Sequence, residues 1–400
     1  MKVTVSERFP DWVRIPSKMQ YQFFELAERE AERTGKRLEE QQLKLEELKR
    51  LLKFERIPES DDWKDWRIGV VDGSDSPALS ERIGARFGAY GATYHIYQGL
   101  DLVKEEYFSG SMIDYQMGDS DASNKLLSLL TTRLEREVAL KCLERDIDLL
   151  LIDGSFFGFR PRCRIIHNRS VPGEELLLGS ELVKEVRDAS VKLLKSGKTI
   201  GVIKRVQTAS LDGWTIFRKQ GEQTRLYRND KDILSSIMDP GNWFSYETAY
   251  GDPILFHYFS RLAIAYRLYA NRSEPTIESI FVACEKDVHR NIKRDLLCEP
   301  EDIMKTARHF IRCSYPAPPF CFETPTNFDL EPALAFFKAT CNEATGLPLP
   351  LDLTDQDITI PSGFTREFVE EIEARLIKVP RLDKYDVESH FSSINPQKQE

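Results

Sequence analysis

The chain has 400 residues, of which 41% are hydrophobic, 10% aromatic and 30% charged. That composition excludes a disordered chain and, at about 150 residues per domain, allows two or three compact units. Fifty-six Lys/Arg against 65 Asp/Glu give a formal net charge of −9, which taken alone argues against a polyanionic partner.

In chain order, residues 17–56 carry the longest helical signal. Phe24, Ala31, Leu38, Leu45 and Leu52 recur every seven positions amid dense Glu and Lys/Arg. Thr34 and Gln41 interrupt the seam, so the pattern predicts a helix packed on the body of the protein or on a second subunit, not a free coiled coil. After the turn-rich Pro58–Asp62, the apolar run from Arg67 ends in Asp72-Gly73-Ser74. Ala85–Gln98 and Leu100–Phe108 then read as two further strands joined by tight turns. A helix is expected over about Asp121–Arg145, followed by Ile147–Asp153, a strand apolar enough to be buried on both faces. It too ends in Asp-Gly-Ser. Gly179–Lys195 reads as a helix and Thr199–Val206 as another buried strand. The order strand, strand, strand, helix, strand, helix, strand, with hairpins first and parallel crossovers afterwards, predicts an α/β, ribonuclease H-like mixed sheet flanked by helices. Beyond Trp214 the pattern predicts a helix near Asp230–Met238, a helix or strand over Pro253–Ala270, a strand near Ile277–Cys284, a helix at Glu301–Arg312 and a last helix at Thr365–Ile377.

Seven scattered cysteines without a C-x-x-C pair predict reduced, intracellular usage, and no His spacing suggests zinc. No apolar run approaches the roughly 18 residues of a spanning helix and the N-terminus lacks a signal-peptide core, so a cytoplasmic protein with no membrane partner is expected.

The chemistry centres on the doubled tripeptide, Asp72-Gly73-Ser74 and Asp153-Gly154-Ser155. Strand carboxyl ends face the ligand crevice in open α/β sheets. Two carboxylates on neighbouring strands there can share Mg or Mn, which take hard oxygen ligands. A single Asp-Gly is commonly just a turn; the repetition after buried strands favours function. A third acid should come from the intervening helix. At 100° per residue Glu135 shares its face with Val138, Ala139 and Cys142, whereas Glu137 falls among Arg133, Lys141 and Glu144, so Glu135 is the expected ligand and Glu137 the alternative. Lys204, at the next strand end, could hold a phosphate or offset the acids' repulsion. Residues 151–230 hold 15 Lys/Arg against 9 Asp/Glu, with Arg160, Arg162, Arg164 and Arg169 crowded after the second Asp-Gly-Ser. Such arginines suit nucleic-acid phosphates. Phe156, Phe157 and Phe159 are read as core anchors in preference to base-stacking platforms.

The segment from Val70 to Gly88, with Leu149–Gly154, Gly201–Lys204, Asn229–Leu234 and Gly346–Asp355, resembles in order and spacing the motif blocks of the NurA nucleases. The resemblance spans about residues 65–360, so the chain is expected to divide into an N-terminal helical arm over 1–60, a NurA-like nuclease domain over 61–360 and a C-terminal helix with an acidic tail over 361–400. It implies a manganese- or magnesium-dependent 5′-3′ DNA nuclease, a homodimer docked on a hexameric HerA-type ATPase. Carried over by position, Asp72, Glu135 and Asp153 match the acidic metal ligands. Where many members have a Tyr and, eight residues on, a His, this chain has Leu347 and Asp355. Asp355 can still ligate Mg or Mn; Leu347 cannot act as a phenol. The implied chemistry is two-metal phosphodiester hydrolysis, with Asp72 bridging both ions, Glu135 and Asp153 on the leaving-group side, Asp355 on the water side and Lys204 on the phosphate. The competing expectations are a nuclease-fold scaffold that loads an ATPase on DNA, suggested by Leu347, and an actin-like phosphotransferase, opposed by the absence of any Gly-Gly pair or Walker motif.

Overall fold

A computed structural model describes residues 15–115, 119–173, 177–221, 225–270 and 276–394. The chain divides into two units, residues 1–52 and residues 53–400. The first contains helix α1 (Ser17–Leu51), built from long-chain helix formers, with Lys49 and Arg50 in its last turn against the negative end of the helix dipole.

The second unit opens with the short β1 (Glu55–Arg56) and then β2 (Arg67–Asp75), β3 (Ser80–Glu81), β4 (Arg86–Gln98) and β5 (Asp101–Asp114). Helix α2 (Ser120–Leu143), whose first turn is capped by the Asp119 carboxylate on Asp121 N, crosses to β6 (Leu149–Asp153). Helices α3 (Arg160–Ile166) and α4 (Gly179–Lys195) lead to β7 (Thr199–Ile203). After them come α5 (Ser210–Arg218), α6 (Asp230–Ile237), β8 (Asn242–Ser245), α7 (Tyr246–Tyr250), α8 (Leu255–Ala270) and α9 (Ile277–Leu296). The chain then makes β9 (Thr306–Arg312), β10 (Phe320–Pro325), α10 (Glu331–Ala339), α11 (Leu349–Ile358), α12 (Phe364–Leu376) and α13 (Lys384–Phe391).

All the strands join one sheet in the order β1-β8-β9-β10-β7-β6-β2-β4-β3, with β5 also paired to β4. At its centre β5, β4 and β2 are antiparallel, and β6 and β7 continue parallel to β2. This is the ribonuclease H-like order expected from the sequence. The apolar run of β6 follows from burial on both sides. Leu149 and Leu151 face a cluster with Val70, Val202, Phe322 and Phe336, while Leu150 and Ile152 face Val71 and the α2 residues Val138, Ala139 and Cys142. Helices α12 and α13 cover one end of β4, where Phe87 packs with Val369, Val387 and Phe391.

Two expectations are corrected. The stretch beginning Ile277–Cys284 is the start of α9, not a strand. Ile277, Ile280, Cys284, Val288 and Ile292 are buried at helical spacing and Thr276 caps the first turn, a period that only the longer window reveals. Glu301–Arg312 is not a helix. A single 3₁₀ turn at Pro300–Asp302 precedes β9, which pairs with β8 and β10 and is buried along nearly its whole length. Its alternation is hidden because both faces are covered. Pro253–Ala270, open between helix and strand, contains α8.

The Asn229–Leu234 block is structural. Asn229 caps α6 through Asp232 N at 2.9 Å. The fully buried Asp230 accepts from Ser210 N at 2.8 Å, Leu211 N at 2.9 Å and the Tyr246 hydroxyl, tying α5, α6 and α7 together. Removing the acceptor orphans the Ser210 and Leu211 amides, while the Tyr246 hydroxyl keeps Thr208 Oγ1 at 3.3 Å. Asp230→Ala should therefore destabilise the second unit by about 2–6 kcal/mol, since each of the two buried unsatisfied groups costs about 1–3. Urea denaturation checks this, and an unchanged midpoint would refute the assigned role.

Candidate active site

The register of β2 on β6 runs from Ile68↔Leu149 to Val71↔Ile152. One residue further along the two parallel strands stand Asp72 and Asp153, side by side at the carboxyl edge. The two glycines that follow serve different purposes. A Cβ on Gly73 would lie 2.5 Å from Glu135 Cγ, so only glycine lets Glu135 lie against β2; Gly154 turns the chain away from β6 at φ +85°.

Asp355 reaches the same edge from α11. Asp72, Asp153 and Asp355 each offer a carboxylate oxygen within 4.8 Å of the others, and they form the one such acidic group found among the described residues. Lys204, just past the end of β7, points into them. Its Nζ lies 3.4 Å from Asp72 Oδ2, 3.4 Å from Asp153 Oδ2 and 2.5 Å from Asp355 Oδ1. The Lys204 carbonyl in turn accepts from Lys231 Nζ at 3.0 Å, so the block after α5 fixes this lysine's backbone.

Glu135 points inward beside this triad, and its charge acts on Asp72. Glu137 lies on the exposed face, 3.1 Å from Arg133 Nε. Arg162 and Arg164 of α3 are exposed, and the Arg162 charge bears on Asp75 and Glu135. Arg160 is half-buried and does not join them. Phe156 and Phe159 are buried core residues. Leu347 is also buried, in the apolar cluster with Leu334, Phe336 and Leu351.

Burial raises the Asp72 carboxyl far above its ordinary range, and neighbouring Asp153 adds to the rise against the opposing pull of Lys204. Burial likewise raises Asp153. Glu135 is pushed up to about 7, chiefly by burial, with Arg136 holding it back and Asp153 adding to it. Burial works against the Lys204 charge, yet Asp153 and Asp72 outweigh it and hold the ammonium above the usual lysine range. Asp355 is the exception: burial would raise it, but the Lys204 hydrogen bond and charge leave it lowered. Four acids around one lysine are short of positive charge. Hard oxygen donors with that deficit fit a divalent cation of the Mg or Mn class.

Three supporting residues escaped the sequence reading. Buried Arg136 donates from Nη2 to Ser155 O at 3.1 Å and sets Nη1 3.9 Å from Glu135 Oε2. Glu323 of β10, 2% exposed, accepts from Ser155 Oγ at 2.7 Å and Phe156 N at 2.9 Å, and Arg308 Nε lies 3.2 Å from it. Together these hold the loop that follows Asp153. Arg136 was detectable, since Leu129, Thr132, Arg136 and Ala139 share one buried stripe of α2; Glu323 was hidden with its unrecognised strand.

Among known proteins, no family model and no curated sequence matches this chain. Its structure is similar to the NurA nuclease from Sulfolobus solfataricus, with a TM-score of 0.54 at 12% identity over 92% of this chain and 100% of that one. A lower similarity, TM-score 0.44 at 13% identity over 93% of this chain and 99% of that one, is found to a NurA structure bound to dAMP and manganese. At these identities the likeness is one of fold: the chain has a NurA-type fold.

The Glu135 carboxyl carries a stability prediction with a definite sign. It takes up its proton near pH 7 when folded and near 4.5 when unfolded. Between those values the folded state binds more protons, so stability falls as pH rises. In chelating buffer at pH 8, Glu135→Gln should exceed the native chain by roughly 1–3 kcal/mol, with the gain vanishing towards the unfolded value. Denaturant titrations at several pH values measure it; a variant weaker than native at pH 8 would contradict the burial penalty.

Proposed function

We propose that this chain is a divalent-metal-dependent deoxyribonuclease that hydrolyses phosphodiester bonds at the acidic edge of its ribonuclease H-like sheet. The observation that carries the reading is the convergence of Asp72, Asp153 and Asp355, from three separate elements, within 4.8 Å of one another. Asp72, Asp153 and Asp355, with Glu135 beside them, would hold Mn or Mg, and four carboxylates suffice for two ions. A bound ion of this class polarises the phosphoryl oxygen and lowers the pKa of a coordinated water.

The chain's own residues supply the rest. Lys204, held by three aspartates, would turn to the phosphate under attack. Arg162, exposed and with its charge bearing on Asp75 and Glu135, would bind a neighbouring strand phosphate, and exposed Arg164 of the same helix would add to the binding. Arg136 and Glu323 would keep the Asp153 loop in place while substrate binds. Action from 5′ ends, a homodimer, a hexameric HerA-type ATPase partner and a cytoplasmic location with reduced cysteines belong to the same reading and rest on the family resemblance; residues 61–360 would carry the nuclease machinery. A second reading, a scaffold on a nuclease fold that loads an ATPase onto DNA, is favoured by Leu347, a buried core residue that cannot supply the phenol the family resemblance expects at this position.

Labelled single- and double-stranded DNA incubated with the full chain separates the two. Cleavage should appear with Mn or Mg and stop with a chelator. Asp72→Asn, a near-isosteric change that relieves repulsion, should lower the rate more than about 100-fold, because even partners outside the ligand shell cost 10–100-fold. Binding without cleavage under every metal condition would favour the scaffold, and unimpaired Asp72→Asn activity would remove the acid cluster from the chemistry.

A further inference from the structure

Ser155 closes the loop after Asp153 and also lines a separate cavity of about 330 Å³. The cavity lies between α3, α8, α9 and β9, and its polar lining includes Arg160, His257, Ser260, Asn291 and Arg308. A volume in the lower part of the small-ligand range is enough for a phosphate with part of its nucleoside.

The charge of this lining is unbalanced. Arg308 is satisfied by Glu323 at 3.2 Å, stacks on Phe256 at 4.6 Å and donates to Ser155 Oγ at 3.3 Å. Arg261 is paired with Asp287 at 2.8 Å. Glu323, the carboxylate in the wall, is already engaged by Ser155, Phe156 N, Thr306 and Arg308. Arg160 differs from all of these: among the described residues its guanidinium makes no hydrogen bond and no ion pair, and the acid that chiefly offsets it, Asp295, lies beyond ion-pair distance and is itself paired with Arg294. The ring nitrogens of His257 likewise make no hydrogen bond among the described residues. Burial, with the charges of Arg308 and Arg160, holds this histidine well below its ordinary value, so three basic groups converge on one space. A half-buried guanidinium that holds no anion is open to one, and its planar fork matches phosphate oxygens.

We propose that this cavity is a phosphate subsite, in which Arg160, with His257 and Arg308 beside it, receives a phosphate of the nucleic-acid strand adjacent to the acid cluster. The assignment rests on the nuclease reading for the identity of the strand and separates Arg160 from its exposed neighbours Arg162 and Arg164. Position favours a terminal phosphate: the lining is a concave pocket and not an open groove, and Ser155 links it to the loop bearing Asp153.

The test is binding by the full chain in chelating buffer, where no cleavage occurs. Fluorescence anisotropy would be read with three labelled single strands of one sequence, carrying a 5′-phosphate, a 3′-phosphate or hydroxyls at both ends, with inorganic phosphate as competitor. A native preference of about tenfold for one phosphorylated end, the scale of one charge-assisted contact, abolished in Arg160→Gln and partly restored in Arg160→Lys, assigns a terminal phosphate. Equal weakening of all three strands, with phosphate competition lost in the variant, assigns an internal phosphate to the same cavity. Unchanged binding by a folded Arg160→Gln, or phosphate competition that survives it, overturns the subsite. If the end preference is found but Mn-dependent cleavage is not, the nuclease reading falls and the cavity stands. Cleavage with an indifferent Arg160 has the opposite meaning.

Discussion

The mutual repulsion of carboxylates at one edge of the sheet is the constraint around which the rest of this molecule is arranged. Two unit charges about 4 Å apart repel by roughly 4 kcal/mol at the effective dielectric of a protein surface. Asp72, Asp153 and Asp355 meet within 4.8 Å around Lys204, with Glu135 beside them. The parallel register makes the first two neighbours unavoidable, because every step from Ile68 to Val71 on β2 is matched from Leu149 to Ile152 on β6. Burial of both faces of these strands supplies the stability that holds the acids together. The unfavourable charge is relieved by Lys204 and by the upward-shifted Asp72, Asp153 and Glu135 carboxyls, and a divalent cation would relieve it more completely.

Around the acids stands a layer of buried charges that have partners of their own. Arg136 ties Glu135 to the Ser155 carbonyl; Glu323 ties Ser155 and Phe156 to β9 and β10; Lys231 ties the backbone of Lys204 to α6. Removing one member of the buried Glu323–Arg308 pair would leave an uncompensated charge at a cost of about 3–5 kcal/mol, whereas Glu135, 3.9 Å from Arg136 and raised by its own burial, is not held by such a pair. This is why the elements added after β7, which no short central motif requires, are coupled to the site: β10 lies next to β7, and its Glu323 reaches across to the loop after β6. Helix α11 brings Asp355, and the same helix buries Leu351 in the core.

What could be read beforehand divides along physical lines. The strand order of the central sheet was legible because hairpins and crossovers leave different spacing, and α4 lies over the very residues its 3.6-residue period marks. Asp72 and Asp153 were legible because both follow buried strands, and Glu135 was separated from Glu137 by helical angle alone. The outer half of the sheet was not legible. β9 is buried on both faces, so it lacks the alternation that announces a strand, and the charged Glu301 and Asp302 before it imitate a helix start. The beginning of α9 is a short β-branched and aromatic run whose helical period emerges only over twenty residues. Glu323 was lost with β10, and Arg136 was overlooked because a buried arginine is read as a surface residue until its helix face is examined. The position of Leu347 was legible as a departure from the family pattern; that the residue serves the core required the packing around it.

The net charge of −9 can now be set against geometry. Two groups of acids contribute to it: those converging at the sheet edge, which draw cations to one place, and those from Leu349 to Glu400, Asp355 among them, where 11 Asp/Glu outnumber 6 Lys/Arg. The basic excess of residues 151–230 is not a uniform patch either. Arg169 is spent on Asp114 at 2.7 Å and Arg225 on Asp212 at 3.2 Å, both buried acids, whereas Arg162 and Arg164 face outwards. A surface organised in this way does not attract a polyanion by its overall field, which is repulsive. Attraction must come from short-range contacts and from whatever cations the carboxylates gather, and both act within a Debye length of about 8–10 Å at ordinary ionic strength. On the nuclease reading, a divalent ion held by the aspartates would favour the approach of phosphates to the acid edge as well as the chemistry there, because the same carboxylates repel them, whereas the Arg160 cavity would receive its phosphate without one.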